Sequence, residues 1–249
     1  MSVWPCDLEP HHPTIEAFLS EHQRLLGAVL LGVYAYGSRV HGLQVGAASD
    51  FDFVVVVKAS LGDTQKAELL ALHDLLPLPL DTTYVSQQYL NQEVVPAIVD
   101  CVIRSVVRGV RAPKLFRVSE GSLDFPFVRR EIWDQGHCLM GPAIPMLFTS
   151  VSERVLRQVL WLGIPQILRF PFPSLQMCRG LYTASTLRIC TKLATGGWAF
   201  QTLPAHWHSL IREEMTAYQT GSAVSSSYER DVQSFHQYYA ERIGVACCK

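Results

Sequence analysis

The sequence predicts an α/β fold followed by an all-α fold: a small mixed-sheet domain over residues 1–145 and a helical domain over residues 146–249. Two observations predict this division. In the first half, short apolar runs rich in valine and tyrosine alternate with a segment of helical pattern, as in strands joined by a crossover helix. From about residue 150 onward, apolar residues instead recur at helical spacing.

The first half begins with an amphipathic helix, predicted over residues 13–27, and Gly27 stands where a helix usually stops. Strands and one further helix follow in an order that predicts a small sheet. The predicted strands cover residues 28–36, 51–58 and 80–86, and the helix covers residues 63–75. The second strand carries four consecutive valines, which is typical of a strand buried on both faces.

Beyond the third strand, residues 92–111 predict another helix, on which Arg104, Arg108 and Arg111 would share one face. That face would either steer a triphosphate or, as is more common, be a solvated charged surface. Residues 136–148 predict a short strand or a linker into the helical half. There Ser152 is the predicted N-cap of a helix over residues 151–163.

Composition limits the partners that the chain can have. The 21 basic and 22 acidic residues give a net charge of −1, so no basic field predicts binding to nucleic acid. No apolar run reaches the roughly 18 residues that a membrane span needs. The seven scattered cysteines and the absence of a visible secretory signal predict a cytoplasmic protein. A hydrophobic content of 49% is compatible with a homodimer interface.

Two aspartates one residue apart, Asp50 and Asp52, stand at the start of the second strand. Residues i and i+2 of a strand point to one face, so the two carboxylates would repel each other unless a cation lies between them. Mg²⁺ binds such carboxylates and keeps positions open for substrate phosphates. Upstream, Gly37 and Ser38 offer backbone N–H groups and a hydroxyl that suit a phosphate chain.

Asp81, at the start of the third strand, is the predicted third carboxylate of this site. Each of these residues also has an ordinary structural interpretation. Asp50 and Asp52 could be a solvated pair at a sheet edge, Ser38 a turn residue and Asp81 a surface acid. His41, between the two motifs, either contacts a phosphate or faces water.

The order of these motifs resembles the signature of the DNA polymerase β-like nucleotidyltransferase superfamily. The family pattern is Gly-Ser, a short spacer, Asp-x-Asp on the next strand and a third acid on a later strand. In this chain it is met by Gly37-Ser38, Gly42, Ser49-Asp50-Phe51-Asp52 and Asp81. The resemblance implies Mg²⁺-assisted nucleotidyl transfer, with Asp50, Asp52 and Asp81 as metal ligands.

A second resemblance lies in residues 176–204, which are similar to the C-terminal helical domain of aminoglycoside adenylyltransferases of the streptomycin/spectinomycin type. The matching residues are Cys178-Arg179-Gly180-Leu181-Tyr182-Thr183, Thr191-Lys192, Trp198-Ala199 and Leu203-Pro204. The resemblance implies that Lys192 reaches the phosphates of ATP; the alternative is a solvated lysine at a helix end. Arg179 would either bind phosphate or form a structural ion pair.

Three features depart from that family. Residues 163–176 contain no acid, although a pocket for polycationic aminoglycosides should contain acids. Asp81 stands where the family usually has a glutamate as catalytic base, and the spacer before Asp50 is about one residue longer than expected. The nucleotidyl-transfer half is therefore better supported than the aminoglycoside half.

The predicted function is transfer of AMP from ATP to a hydroxyl of a small molecule, with an aminoglycoside as one candidate. Asp50 and Asp52 would bind Mg²⁺, while Gly37 and Ser38 hold the terminal phosphates. Asp81 would complete a second metal site or act as general base. The alternatives are a catalytically silent nucleotide-binding protein and a regulatory protein of the same fold that pairs with a toxin.

Overall fold

The structure is a computed structural model that describes residues 11–40, 49–107, 110–116 and 121–247. These residues form two compact units, one ending at Val151 and the other beginning at Ser152. The domain boundary after residue 145 stays a prediction. His41, Gly42 and Arg108 lie outside the described residues.

The first unit is built on a six-stranded mixed sheet in the order β5-β4-β3-β2-β1-β6. Strands β2 and β3 are parallel, and the other neighbouring pairs are antiparallel. The parallel pair follows from the helix between these two strands, because parallel neighbours need a crossover connection. The strands are β1 Leu30–Tyr36, β2 Phe51–Val57, β3 Leu80–Ser86, β4 Cys101–Val107, β5 Val110–Phe116 and β6 His137–Met140.

Helices cover both faces of this sheet and give the unit two cores. Val55 and Val57 of β2 lie in the core that includes α1 and α2 residues, whereas Val54 and Val56 lie in the core that includes α4 residues. The valine run is thus buried on both faces, as its sequence predicts. The helices are α1 His12–Leu26, α2 Asp63–Leu75, α3 Gln87–Leu90, α4 Phe125–Gln135 and α5 Ile144–Leu147.

The predicted helix over residues 92–111 is wrong, because this segment contributes β4 and the first part of β5. The physical reason is a period of two: Cys101, Ile103 and Ser105 are buried, and the residues between them are less so. Four of the seven residues of β4 are β-branched, which also favours a strand. Arg104 and Arg111 therefore lie on two different strands and share no helix face.

The second unit is helical. Its central helix α7 contacts α8, α9 and α10, and Gly180 permits the last contact, since a Cβ there would lie 2.6 Å from the hydroxyl of Tyr239. Ser152 caps α6 as predicted, by accepting a hydrogen bond from the Val155 N–H. The helices are α6 Glu153–Gly163, α7 Pro173–Thr186, α8 Lys192–Thr202, α9 His208–Thr220 and α10 Glu229–Cys247. Across the described part of the chain, no helix combines the length and the apolar character that crossing a bilayer requires.

Candidate active site

Five residues on five neighbouring strands are paired in register and form what we call the cross-strand row. In order across β1, β2, β3, β4 and β5, they are Tyr36, Asp52, Asp81, Arg104 and Lys114. Residues that face each other across neighbouring strands project from the same face of a sheet. The row thus brings the predicted acids Asp52 and Asp81 together, and it adds two cations on the β4 and β5 side.

The turn after β1 is shaped around the carboxylate of Asp52. Gly37 has φ of +83°, and a Cβ placed there would lie 2.2 Å from Asp52 Oδ2. Only glycine therefore allows the Asp52 side chain to lie against this turn. Ser38 is the next residue of the turn and is partly exposed. Its contact with a phosphate stays a prediction.

Asp50 lies directly before β2 and is partly exposed. The neighbouring Ser49 is buried, and its carbonyl accepts hydrogen bonds from Arg39 at 3.3 Å (Nε) and 3.0 Å (Nη2). The Arg39 guanidinium also lies 4.1 Å from the centre of the Phe51 ring. Arg39 thus ties the turn after β1 to the start of β2. Sequence reasoning missed this residue, although it directly follows Ser38.

Asp81 forms an ion pair with Arg104, whose Nε donates to Asp81 Oδ2 at 2.7 Å. The pair is partly exposed, with 18% of the Asp81 side chain and 42% of the Arg104 side chain accessible. The charge of Asp81 raises the pKa of Arg104 above its usual value. The guanidinium also lies 5.5 Å from the centre of the Phe116 ring. Arg104 was missed as a partner of Asp81 because its strand was predicted to be a helix.

Tyr36 lies at the β1 end of the row. Burial raises its pKa well above the ordinary value, and the charges of Asp52 and Asp81 add to this effect. The phenol therefore keeps its proton at neutral pH and stays a hydrogen-bond donor among carboxylates. It gives the acids a polar neighbour that carries no charge.

The donor set of this site fits a Mg²⁺ ion held partly by substrate. The described residues hold no group of three or more His, Cys, Asp or Glu side chains arranged to bind a metal ion. Mg²⁺ does not require one, because proteins often bind it through one or two carboxylates together with substrate phosphates. Asp50 and Asp52 can supply those carboxylates, and the role of Asp81 as a metal ligand stays a prediction.

In the second unit, Lys192 is the first residue of α8, where the Thr191 side chain caps the helix by accepting from the Ala194 N–H. The Lys192 ammonium lies 5.2 Å from the centre of the Tyr218 ring. Arg179 lies on α7 and is partly exposed. Two parts of the predicted motif meet here, because the rings of Tyr182 and Trp198 pack edge to face with centres 5.6 Å apart.

Glu214 is an acid of the helical unit that sequence reasoning missed. It is 1% exposed, and its carboxylate accepts from the backbone N–H groups of Ser174 at 3.2 Å and Leu175 at 3.0 Å, at the start of α7. Burial raises the pKa of Glu214, and these hydrogen bonds oppose that effect. Glu214 also lines a cavity of about 840 Å³, together with Phe172 and Glu229. Two acids of later helices, Glu214 and Glu229, thus lie at this cavity.

Comparison with known proteins bears on both halves of the chain. Residues 146–242 match the family model described as aminoglycoside adenylyltransferase, C-terminal domain. An aminoglycoside (3'') (9) adenylyltransferase from Klebsiella pneumoniae is 26% identical, over 87% of this chain and 88% of that protein. A protein of the same description from Escherichia coli is 26% identical, over 79% of this chain and 80% of its own length. The chain is similar to aminoglycoside adenylyltransferases over most of its length. The family resemblance predicted from the sequence is confirmed.

A solved structure has the same fold as this protein along most of the chain. Spectinomycin adenyltransferase AAD(9) from Enterococcus faecialis, solved with ATP and spectinomycin, superposes with a TM-score of 0.77 at 18% identity. The match covers 94% of this chain and 99% of that one. The two chains share a fold, and the predicted fold class, a mixed-sheet domain followed by a helical domain, is confirmed.

Proposed function

We propose that this protein is a nucleotidyltransferase that moves AMP from ATP to a hydroxyl group of a small molecule. The observation that carries the proposal is the cross-strand row, in which Asp52 lies against the Gly37 turn and beside Asp81. A carboxylate set next to a turn rich in backbone donors suits a nucleotide phosphate chain with its metal ion. The relatives, named as adenylyltransferases, support the same reaction class.

Each predicted residue has a place in this proposal. Asp50 and Asp52 would hold Mg²⁺, which supplies neutralisation of the phosphate charge when it is bound. The Gly37-Ser38 turn would hold the terminal phosphates. Lys192 and Arg179 would add positive charge for the nucleotide, since a lysine ammonium is a compact charge suited to a polyphosphate.

The acceptor that we propose first is an aminoglycoside or a related aminocyclitol. Its support is the named relatives and the solved neighbour, whose structure contains spectinomycin. Glu214 and Glu229 place two carboxyl groups at one cavity of the helical unit, which suits a cationic ligand. We further propose that the protein works in the cytoplasm and that it forms a homodimer.

The test is a transfer assay with ATP, Mg²⁺ and a panel of hydroxyl acceptors headed by spectinomycin and streptomycin. Formation of an adenylylated product and release of pyrophosphate, both followed by mass spectrometry, are the expected results. The Asp52→Asn variant should lose transfer while it keeps the wild-type melting temperature. Asp134→Asn is the matched control, because Asp134 is a partly exposed acid of α4 in an ion pair with Arg130. Product formation by Asp52→Asn at the wild-type rate would refute the assigned metal site.

A catalytically silent nucleotide-binding protein is the second candidate. One observation favours it: Asp81, with its shorter side chain, stands where the family usually has a glutamate. A displacement of ~1 Å at a reacting group can cost ~10²-fold in rate. This candidate predicts calorimetric binding of ATP with Mg²⁺ but no pyrophosphate release with any acceptor of the panel.

A further inference from the structure

Two roles are open for Asp81 in the proposed reaction: ligand of a second metal ion, or base for the acceptor hydroxyl. The cross-strand row distinguishes between them, because the two neighbours of Asp81 lie on opposite sides of it. Asp52 is on β2, and Arg104 is on β4. A carboxylate that turns toward one of these neighbours turns away from the other.

The contact with Arg104 sets the direction of the Asp81 side chain. Oδ2 of Asp81 accepts from Arg104 Nε at 2.7 Å, which is the short distance of a charge-assisted hydrogen bond. Arg104 is itself held, since its guanidinium lies 5.5 Å from the Phe116 ring centre. The guanidinium remains charged at every physiological pH. It therefore places a fixed positive charge beside Asp81, on the side away from Asp52.

A fixed cation at this distance disfavours a divalent metal ion on the same carboxylate, since like charges repel. The charge of Arg104 therefore disfavours Asp81 as a ligand of the ion that we propose at Asp52.

We infer that Arg104 is a positioning residue that directs Asp81 to the acceptor hydroxyl and away from the metal ion. The inference rests on the proposed function. In the transfer step, the acceptor oxygen forms a bond to the α-phosphorus, and the bond from that phosphorus to the bridging oxygen breaks. Pyrophosphate leaves with the bonding electron pair, and the hydroxyl proton passes to Asp81. Arg104 takes no part in the covalent change and acts through the orientation of Asp81.

The first arm of the test measures metal binding and needs no acceptor. Mn²⁺, used as a spectroscopic substitute for Mg²⁺, is titrated in the presence of α,β-methylene-ATP into wild type and Arg104→Met. Methionine keeps an unbranched side chain but removes the charge. Mn²⁺ affinity should rise about threefold to tenfold in the variant, because a repelling charge a few ångströms from the carboxylate is lost. An unchanged affinity would overturn the inference, whatever the activity.

The second arm measures transfer with the best acceptor of the panel. Arg104→Met should lower kcat by roughly 10- to 100-fold and leave KM for ATP within about twofold, since only the orientation of the base is disturbed. Arg104→Lys should restore part of kcat. In an Asp81→Asn background, removal of Arg104 should cause no further loss, because the two residues act as one unit. Additive losses would refute a role through Asp81.

Arg130→Met is the matched control for both arms. Arg130 forms a similar bond, from its Nε to Asp134 Oδ2 at 2.6 Å, but on α4 and outside the row. Its removal should change neither the Mn²⁺ affinity nor kcat. A wild-type protein that transfers no AMP to any acceptor would count against the proposed function, while the Mn²⁺ titration would still decide the placement of Asp81.

Discussion

The two faces of the sheet in the first unit differ in the charge and the exposure of their polar side chains. On the face that includes α4, the cross-strand row carries charges that are partly exposed, such as Asp81 and Arg104. On the face that includes α1 and α2, the polar side chains are fully buried. Strand β3 contributes to both, because Asp81 and Tyr84 are an odd number of positions apart and so point to opposite faces.

Four of these buried side chains, His22, Tyr84, His73 and Ser105, form a hydrogen-bonded chain. His22 Nδ1 lies 2.7 Å from the Phe18 carbonyl, and His22 Nε2 lies 2.8 Å from the Tyr84 hydroxyl. His73 Nε2 lies 3.1 Å from the same hydroxyl, and His73 Nδ1 lies 3.2 Å from the Ser105 hydroxyl. The carbonyl can only accept, so the tautomers follow: His22 donates to Phe18, Tyr84 donates to His22, His73 donates to Tyr84 and Ser105 donates to His73.

In this arrangement every member is neutral and each ring nitrogen has one partner. Burial lowers the pKa of His22 to about 4 and that of His73 to about 3, which agrees with two uncharged rings. The comparison shows which face of the sheet carries charged side chains. Charge is present on the face that the proposed reaction uses, and the His22–Tyr84–His73–Ser105 chain on the opposite face is hydrogen-bonded without charge.

The largest expected effect is on AMP transfer, when Gly37 beside the cross-strand row is substituted. Gly37→Ala would place a Cβ 2.2 Å from Asp52 Oδ2, at a φ of +83° that alanine rarely adopts. We expect transfer to fall by ~10²-fold or more because Asp52 must move. The measurement is kcat together with the melting temperature. Gly27→Ala is the control, since Gly27 also has positive φ (+51°) but its Cβ would meet no described atom within 4 Å. Equal losses of kcat in the two variants would contradict this account.

The next largest effect is expected when Tyr84 is substituted, because its hydroxyl lies at the centre of the uncharged hydrogen-bonded chain. Tyr84→Phe leaves Nε2 of both His22 and His73 buried without the hydroxyl, which should lower the free energy of unfolding by about 2–4 kcal/mol. Ser105→Ala removes one hydroxyl from the end of the chain and should cost less, about 1–2 kcal/mol. Urea unfolding measures both values. A smaller loss for Tyr84→Phe than for Ser105→Ala would show that the chain is assigned wrongly.

Acidification should lower the free energy of unfolding through His22 and His73 at a pH above that at which most carboxylates are protonated. The folded-state pKa values of His22 and His73 lie below their ordinary value, so the unfolded chain binds more protons as the pH falls below about 6.5. Stability should therefore decrease from about pH 6.5 down to the folded-state pKa values, by up to ~1.4 kcal/mol per pH unit for each histidine. Glu21, on α1, opposes part of the shift at His22. Urea unfolding at pH 7, 5.5 and 4.5 measures the slope, which His73→Gln should reduce by about one proton.

The smallest effect is expected at the outer end of the row. Lys114 is exposed and lies 5.5 Å from the Phe116 ring centre. Lys114→Gln should change the free energy of unfolding by less than about 0.5 kcal/mol, because exposed charges contribute little. Transfer should stay within about threefold of wild type. A large loss of kcat would extend the functional part of the row beyond Arg104.

Local sequence patterns were enough to predict much of the fold and the positions of the candidate acids Asp50, Asp52 and Asp81 at the starts of strands. The Gly37 turn, the valine run of β2 and the start of β3 each depend on neighbours in the sequence, and the structure places them as predicted. Arg104 could not be assigned to Asp81 in this way, because their pairing depends on the register between β3 and β4. The contact between His22 and Tyr84 joins residues 62 positions apart, so no local pattern contains it.

The valine run of β2 has a consequence for how the first unit opens. This strand pairs with both β1 and β3, and its alternate valines lie in two different cores. If one core were lost, the other core and the two neighbouring strands would still cover β2, so this strand should become accessible only when the whole unit unfolds. Its amide protons should exchange with deuterium more slowly than those of β5, at the sheet edge. The aspartates at the start of β2 would then be anchored to the part of the unit that opens last, which suits a site that must hold its shape through repeated turnover.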